Sequence, residues 1–175
     1  MHPVDLGGNG FFQNHIGCLL GDHHDGRVGI ARYDGRHDRG VATLVERHSR
    51  FTMLVKLKKK DSATVVAALA QQIGKLPEAL RRSLTWDQGK EMARHQSFTV
   101  STDVQEVYFC DPRSPWQRGS NENTNGLLRQ YFPRGTNLSH VSQAQLNAVA
   151  LRLNQRPRKT LDFETPADRL HKVLR

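Results

Sequence analysis

The chain is poor in cysteine, in long apolar runs and in acids, and each shortage closes off a class of protein. Its 175 residues hold two cysteines, Cys18 and Cys110. Two thiols so far apart make neither a disulfide framework nor a zinc site, and Cys110, inside an apolar run, reads as a small buried hydrophobe. Histidines are more numerous, but His23, His24, His37, His48, His95 and His140 keep no repeated ligand spacing. A structural zinc is therefore not expected. No stretch approaches the roughly 20 apolar residues of a membrane-spanning helix. The first ten residues lack the basic start and apolar core of a secretory signal. A reducing cytoplasm and no membrane partner are the expectations. Internal repeats and low-complexity segments are absent as well.

Acids are the last shortage. Seventeen Asp and Glu face 26 Lys and Arg, leaving a net charge of +9. Hydrophobic residues, at 37%, suffice for one core in a chain of this length. A positive excess at ordinary charged content directs attention to an anionic partner, nucleic acid first; a basic solvated surface is the plain alternative.

Residues 1–38 differ in composition from the rest. Gly7, Gly8, Gly10, Gly17, Gly21, Gly26, Gly29 and Gly35 crowd them, and glycine at this density weakens any strand or helix. Only 27–33 offers a strand. An atypical, poorly ordered segment is expected over 1–38, and a folded core over 39–175. From Gly40 the signals sharpen. Runs 41–46 and 51–57 are β-rich and joined by a hairpin-length link. Lys58-Lys59-Lys60 closes the second, either as a solvated strand end or, beside nucleic acid, as a phosphate contact.

Asp61 or Ser62 then caps a helix with Ala63, Val66, Ala67, Ala70 and Ile73 at helical spacing, stopped by Gly74 and Pro77. A short helical turn is expected over 78–82, a strand over 83–87, a helix over 90–98 and a strand over 104–110. Helices follow over 142–156, ended by Pro157, and from Thr165 with Pro166 in its first position. Strands first, then alternating strand and helix, describe an α/β fold: a mixed sheet with helices on both faces. Ligands of such sheets collect at the carboxyl ends of strands.

Asp87 sits at one such end. After the next strand and two prolines comes a helical segment on which Arg118, Glu122, Asn125 and Arg129 form one polar stripe, with Thr124, Leu127, Leu128 and Tyr131 opposite. Asp87 and Glu122, with 34 residues between them, could return to the same sheet edge. Two carboxylates so placed bind divalent cations through hard oxygens. A metal pair about 3.5–4 Å apart stabilises both the attacking and the leaving oxygen of a phosphoryl displacement. The plain alternatives are a surface Glu122 paired with Arg118 or Arg129, and an Asp87 that caps a turn.

Three motifs go beyond spacing: Ala42-Thr43-Leu44-Val45-Glu46-Arg47, Leu84-Thr85-Trp86-Asp87-Gln88-Gly89-Lys90-Glu91-Met92, and the run from Tyr108 to Leu128 with Trp116-Gln117-Arg118-Gly119-Ser120-Asn121-Glu122-Asn123. With them, residues 40–170 resemble the catalytic domain of bacterial insertion-sequence transposases. The branch is the one typified by insertion sequence thirty, within the retroviral-integrase-like superfamily. The resemblance implies a ribonuclease H-like fold and DNA strand cleavage and transfer by two aspartates and a glutamate. Mg²⁺ or Mn²⁺ would serve, as two ions. DNA, both element ends and target, would be the partner, with a homo-oligomer assembling on it.

Carried across, Asp87 matches the second aspartate and Glu122 the glutamate. The first aspartate of the family lies in Gly-Asp-Leu on the first strand; here Ile30 stands near that place. Asp34, which terminates the first plausible strand, is the assignment, ahead of Asp22, Asp25 and Asp38. Lys90, Arg113, Arg118 and Arg129 are expected on DNA phosphates, and Asn121 and Asn123 on strand positioning. Arg156, Arg158 and Lys159 either extend that surface or are solvated. Asp111 reads as a turn residue, Trp116 as a base-stacking or packing group, and His95 as a surface histidine. The family's helix-turn-helix region has no counterpart here, and residues 1–38 are expected to derive from a truncated or frame-shifted gene. Three functions follow: a transposase catalytic domain, a remnant that binds DNA without cutting, or a general ribonuclease H-like nuclease.

Overall fold

A computed structural model of the chain describes residues 15–20, 27–31, 40–46, 48–59, 61–77, 80, 83–86, 99, 104, 106–109, 119–133 and 135–174; for 15–20, 27–31, 86, 106, 109 and 119–122 it describes the backbone alone. The sheet within them is mixed. Its strands are β1 His15–Leu20, β2 Arg27–Ala31, β3 Gly40–Glu46, β4 Thr52–Leu57, β5 Ser83–Trp86 and β6 Glu106–Phe109. Their order is β4-β3-β1-β2-β5-β6, with a further direct pairing of β2 and β3. β3 is antiparallel to β2 (Ile30 opposite Ala42) and to β4 (Ala42 opposite Val55). β5 lies parallel to both β2 and β6.

Each helix begins where local chemistry favours it. In α1, Ser62–Ile73, the Asp61 side chain accepts from the Thr64 N–H, and Gly74 closes the far end. α2 is Gly119–Leu128. α3, Gln143–Asn154, opens on a reciprocal capping box between Ser142 and Gln145. α4, Pro166–Val173, has Thr165 as its cap and proline in its first turn. These match the expected helices, except that α3 ends at Asn154, ahead of Pro157.

Strand alternation sends side chains to two cores. Ala42, Leu44, Val55 and Leu57 pack with Val65, Val66, Leu69 and Ile73 of α1. Val41 and Leu54 pack instead with Leu128, Phe132, Leu146, Ala150 and Leu153. Every residue of β3 is buried, as a strand covered on both faces must be. Helices therefore lie on both faces, as the element order implied.

The strand β1 is a departure from expectation. It pairs with β2 over five positions, Gly17 opposite Gly29, and touches β3 at Leu19 and Leu20. Inter-strand hydrogen bonds hold a glycine-rich segment that has no local reason to extend. The expected helix over 90–98 lies outside the described residues.

Candidate functional site

The site is framed by strand direction. β2, β4, β5 and β6 all run the same way, because β3 is antiparallel to both β2 and β4. Ala31 and Leu57 therefore end at one rim of the sheet, beside Gly40 at the start of β3, while Trp86 and Phe109 point toward that rim and stop level with Val28. Ser83, Leu84 and Thr85 are buried, so β5 is anchored up to its last turnward residues.

Asp87 follows Trp86 directly in the chain. It lies outside the described residues, as do Asp34, Lys90, His95, Asp111, Arg113, Trp116 and Arg118. Glu122 and Asn121 fall within the first turn of α2, placed by backbone only. Asn123 is exposed on the same helix and Arg129 is exposed just past its end, where solution can reach both. α2 packs against β2 and β3, and β5 pairs with β2. The strand leading to Asp87 and the helix bearing Glu122 thus share one neighbour, β2.

That neighbour reads Arg-Val-Gly-Ile-Ala and contains no acid. Arg27 stands opposite Thr85, so Trp86 is level with Val28, and Asp34 comes three residues after the strand has ended. Among the described residues no group of three His, Cys, Asp or Glu side chains gathers to hold a metal. The expected ligands Asp87, Glu122 and Asp34 are carboxylates, a donor set of hard oxygens that suits Mg²⁺ or Mn²⁺ by its chemistry.

Two side chains depart from the sequence reading. Asn125, expected on a polar stripe with Glu122, is only 2% exposed, whereas Thr124 beside it is buried as the apolar face requires. The stripe is interrupted there, because the α2 face turned to the sheet includes Asn125. Arg158 is half-buried and donates from Nη2 to the Leu153 carbonyl at 3.1 Å. Its backbone carbonyl accepts from Leu161 and Phe163. Burial, aided by repulsion from Arg156, pulls its guanidinium below the usual arginine range. It organises the 158–164 turn rather than a solvated surface. Arg156 stays exposed and reaches Gln130 Oε1 at 3.1 Å; Lys159 is exposed too.

Glu46 is a buried carboxylate, but its oxygens are used locally. They accept from the His48 N–H at 2.9 Å, the Ser49 N–H at 2.7 Å and the Ser49 hydroxyl. It closes the β3–β4 turn, and those three bonds occupy its carboxylate.

The sequence reading also missed two amides. Gln143 and Asn154, at the two ends of α3, hydrogen-bond the outer edge of β4. Asn154 exchanges two bonds with the Thr52 backbone, both 2.8 Å. Gln143 accepts from the Lys56 N–H at 2.8 Å and donates to the Leu54 carbonyl at 2.7 Å. Their spacing of three helical turns was the available signal, but its partner strand lies about a hundred residues away.

The Integrase core domain family matches residues 28–115, half of the chain. Over 134 residues the chain is 58% identical to the Transposase InsI for insertion sequence element IS30A of Escherichia coli (strain K12), covering 77% of this chain and 35% of that protein. It is 53% identical to the Transposase for insertion sequence element IS1086 of Cupriavidus metallidurans, covering 77% of this chain and 39% of that protein. The chain thus spans little more than a third of the length of these relatives. Among solved structures, a chain of the simian T-cell lymphotropic virus intasome in complex with PP2A regulatory subunit B56 gamma superposes with a TM-score of 0.63 at 21% identity, over 83% of this chain and 52% of that one. That likeness shows the ribonuclease H-like fold. Proteins of this kind generally use a divalent metal ion. Among the described residues no helix is long and apolar enough to cross a membrane. Strand order, two-faced sheet, motif positions and sequence identity converge: the chain belongs to the integrase core domain family, within the group of transposases typified by insertion sequence thirty.

Proposed function

We propose that this chain is the catalytic domain of a DNA transposase, cleaving a DNA strand and joining its 3′-hydroxyl to target DNA at the β2–β5 rim. Asp87 and Glu122 are the metal-holding carboxylates. The observation that carries the reading is the convergence on β2: β5, which leads to Asp87, pairs with it, and the helix of Glu122 packs on it. Mg²⁺ or Mn²⁺ bound there, as two ions, supplies Lewis acidity to the scissile phosphate. The chain's own groups bind and orient the DNA. Lys90, Arg113, Arg118 and Arg129 neutralise phosphates, and Asn121 and Asn123 position the strand. The partners are insertion-element ends and target DNA, handled by an oligomer of this chain in the cytoplasm.

A second reading is favoured by one observation: β2 contains no carboxylate, and Asp34 follows its end. On that reading the fold and DNA affinity persist while cleavage is lost. A nicking assay on element-end DNA with Mg²⁺ or Mn²⁺, beside an Asp87→Ala control, decides between them. Metal-dependent nicking that the control abolishes supports the transposase. Metal-independent binding without nicking supports the remnant, and cutting without preference for element ends supports a general nuclease.

A further inference from the structure

β4 is an edge strand, and one stretch of its edge opens into a groove of about 600 Å³ between α1 and the start of α3. Val55 and Ala68 form part of its wall. Among the described residues, every charged side chain lining it is a lysine: Lys56, Lys58 and Lys59. The remaining polar lining among them is amide, Gln71 and Gln72 from α1 and Gln143 from α3. Lysines and glutamines are the donors that meet phosphate oxygens without reading sequence. The nearby acid, Asp61, is engaged elsewhere. Its carboxylate accepts from the Thr64 N–H at 2.9 Å and the Thr64 hydroxyl at 2.7 Å, capping α1.

The position of the groove matters as much as its charge. Leu57 pairs with Gly40, and Lys56 with Val41, which itself pairs with Ala31. Lys58 and Lys59 therefore project beyond the rim at which β2 ends, and both are exposed. From β5 across β2 and β3 to β4 is three strand spacings, on the order of 14 Å, and Lys58 lies five residues further along the strand direction than Trp86, on the order of 17 Å, which together make roughly 22 Å. At 3.4 Å per base step that equals about six base pairs of duplex. Lys56 is held in place, its Nζ donating to the Ser139 carbonyl at 3.2 Å, so one cation of the set is fixed in advance.

We propose that this groove is a second DNA-backbone contact, in which Lys58 and Lys59, with Lys56 behind them, hold duplex phosphates about six base pairs from the phosphate that reacts beyond β5. The inference rests on the transposase reading and names a contact that the site motifs do not include. It is sequence-independent and adds to affinity through counterion release.

The test measures binding of the full chain to a short mixed-sequence duplex as a function of salt. Wild type is compared with the double variant Lys58→Gln/Lys59→Gln and with a charge-matched control, Arg152→Gln/Arg169→Gln, neither of whose side chains lines the groove. Two lost phosphate contacts should lower the log–log salt slope by about 1.8. The wild-type advantage should then shrink about 12-fold between 50 and 200 mM salt. Unchanged circular dichroism and melting temperature establish that the variants are folded. A double variant with the wild-type slope, or a control that loses as much, overturns the proposal. So does a double variant that keeps DNA binding but self-associates in sedimentation, which would make these lysines guards of the sheet edge. Absence of salt-dependent binding by the wild-type chain would instead count against the transposase reading itself.

Discussion

Replacing Asn154 by alanine should be among the most damaging single changes outside the hydrophobic core. Thr52 is fully buried, and both its backbone N–H and its carbonyl are satisfied by the Asn154 amide. Truncation leaves both groups without partners where water cannot readily reach them, Asn154 being only 4% exposed. An orphaned buried polar group costs about 1–3 kcal/mol. Two of them, less the relief of no longer burying the amide, come to about 3 kcal/mol. In a chain of this size that lowers the melting temperature by roughly 6–12 °C. Gln143→Ala removes the equivalent pair at the other end of α3, but this side chain is half-exposed and water can take its place. Its cost should be near 1 kcal/mol. Asn154→Asp refines the test, since a carboxylate accepts from the Thr52 N–H but opposes the Thr52 carbonyl. Burial raises its folded-state pKa, so the lost stability should return as pH falls, relative to the alanine variant. Urea unfolding followed by circular dichroism measures all three. If Asn154→Ala lies within about 0.5 kcal/mol of wild type, or costs no more than Gln143→Ala, the edge-bonding argument is wrong.

Two further outcomes are expected. Gly126 sits in α2, exposed, and a Cβ added there meets nothing within 4 Å. Gly126→Ala should stabilise by about 0.5–1 kcal/mol in thermal melts; a destabilised variant would show that α2 is not a regular helix at that point. Glu164 carries a carboxyl held below the ordinary carboxylate range, chiefly by the hydrogen bond from Lys172, with Arg169 adding to it. A depressed folded-state pKa stabilises above the unfolded value near 4.3 and is lost as pH falls through the folded one. Glu164→Gln should therefore flatten the melting-temperature profile below about pH 4.5, whereas an unchanged acid limb would show that the pair contributes nothing measurable.

Much of this molecule follows from local rules that a one-dimensional reading can apply. Asp61 before an apolar periodic run, Ser142 three residues ahead of Gln145, and proline after Thr165 each mark a helix start through a bond made within four residues. The hairpin of β3 and β4 is equally local, closed by Glu46 on its own turn. The motifs around Asp87 and Glu122 are contiguous in sequence and mark the family; most of the site residues they suggest lie outside the described residues.

Other features depend on partners far away in sequence. No property of residues 15–20 alone makes them a strand; they extend because β2 supplies matching hydrogen bonds. The burial of Asn125 depends on which face of α2 meets the sheet. Arg158 looks like a surface cation until the 158–164 turn folds back over it. Asn154 and Gln143 read as ordinary helix amides until α3 lies along β4, whose edge is 102 positions distant at the Asn154 contact. Sequence by itself thus determined the element order, the helix caps and the family, because those rest on short-range hydrogen bonding and on contiguous motifs. Only the tertiary structure decided which polar groups are enclosed, since enclosure is a property of two surfaces brought together.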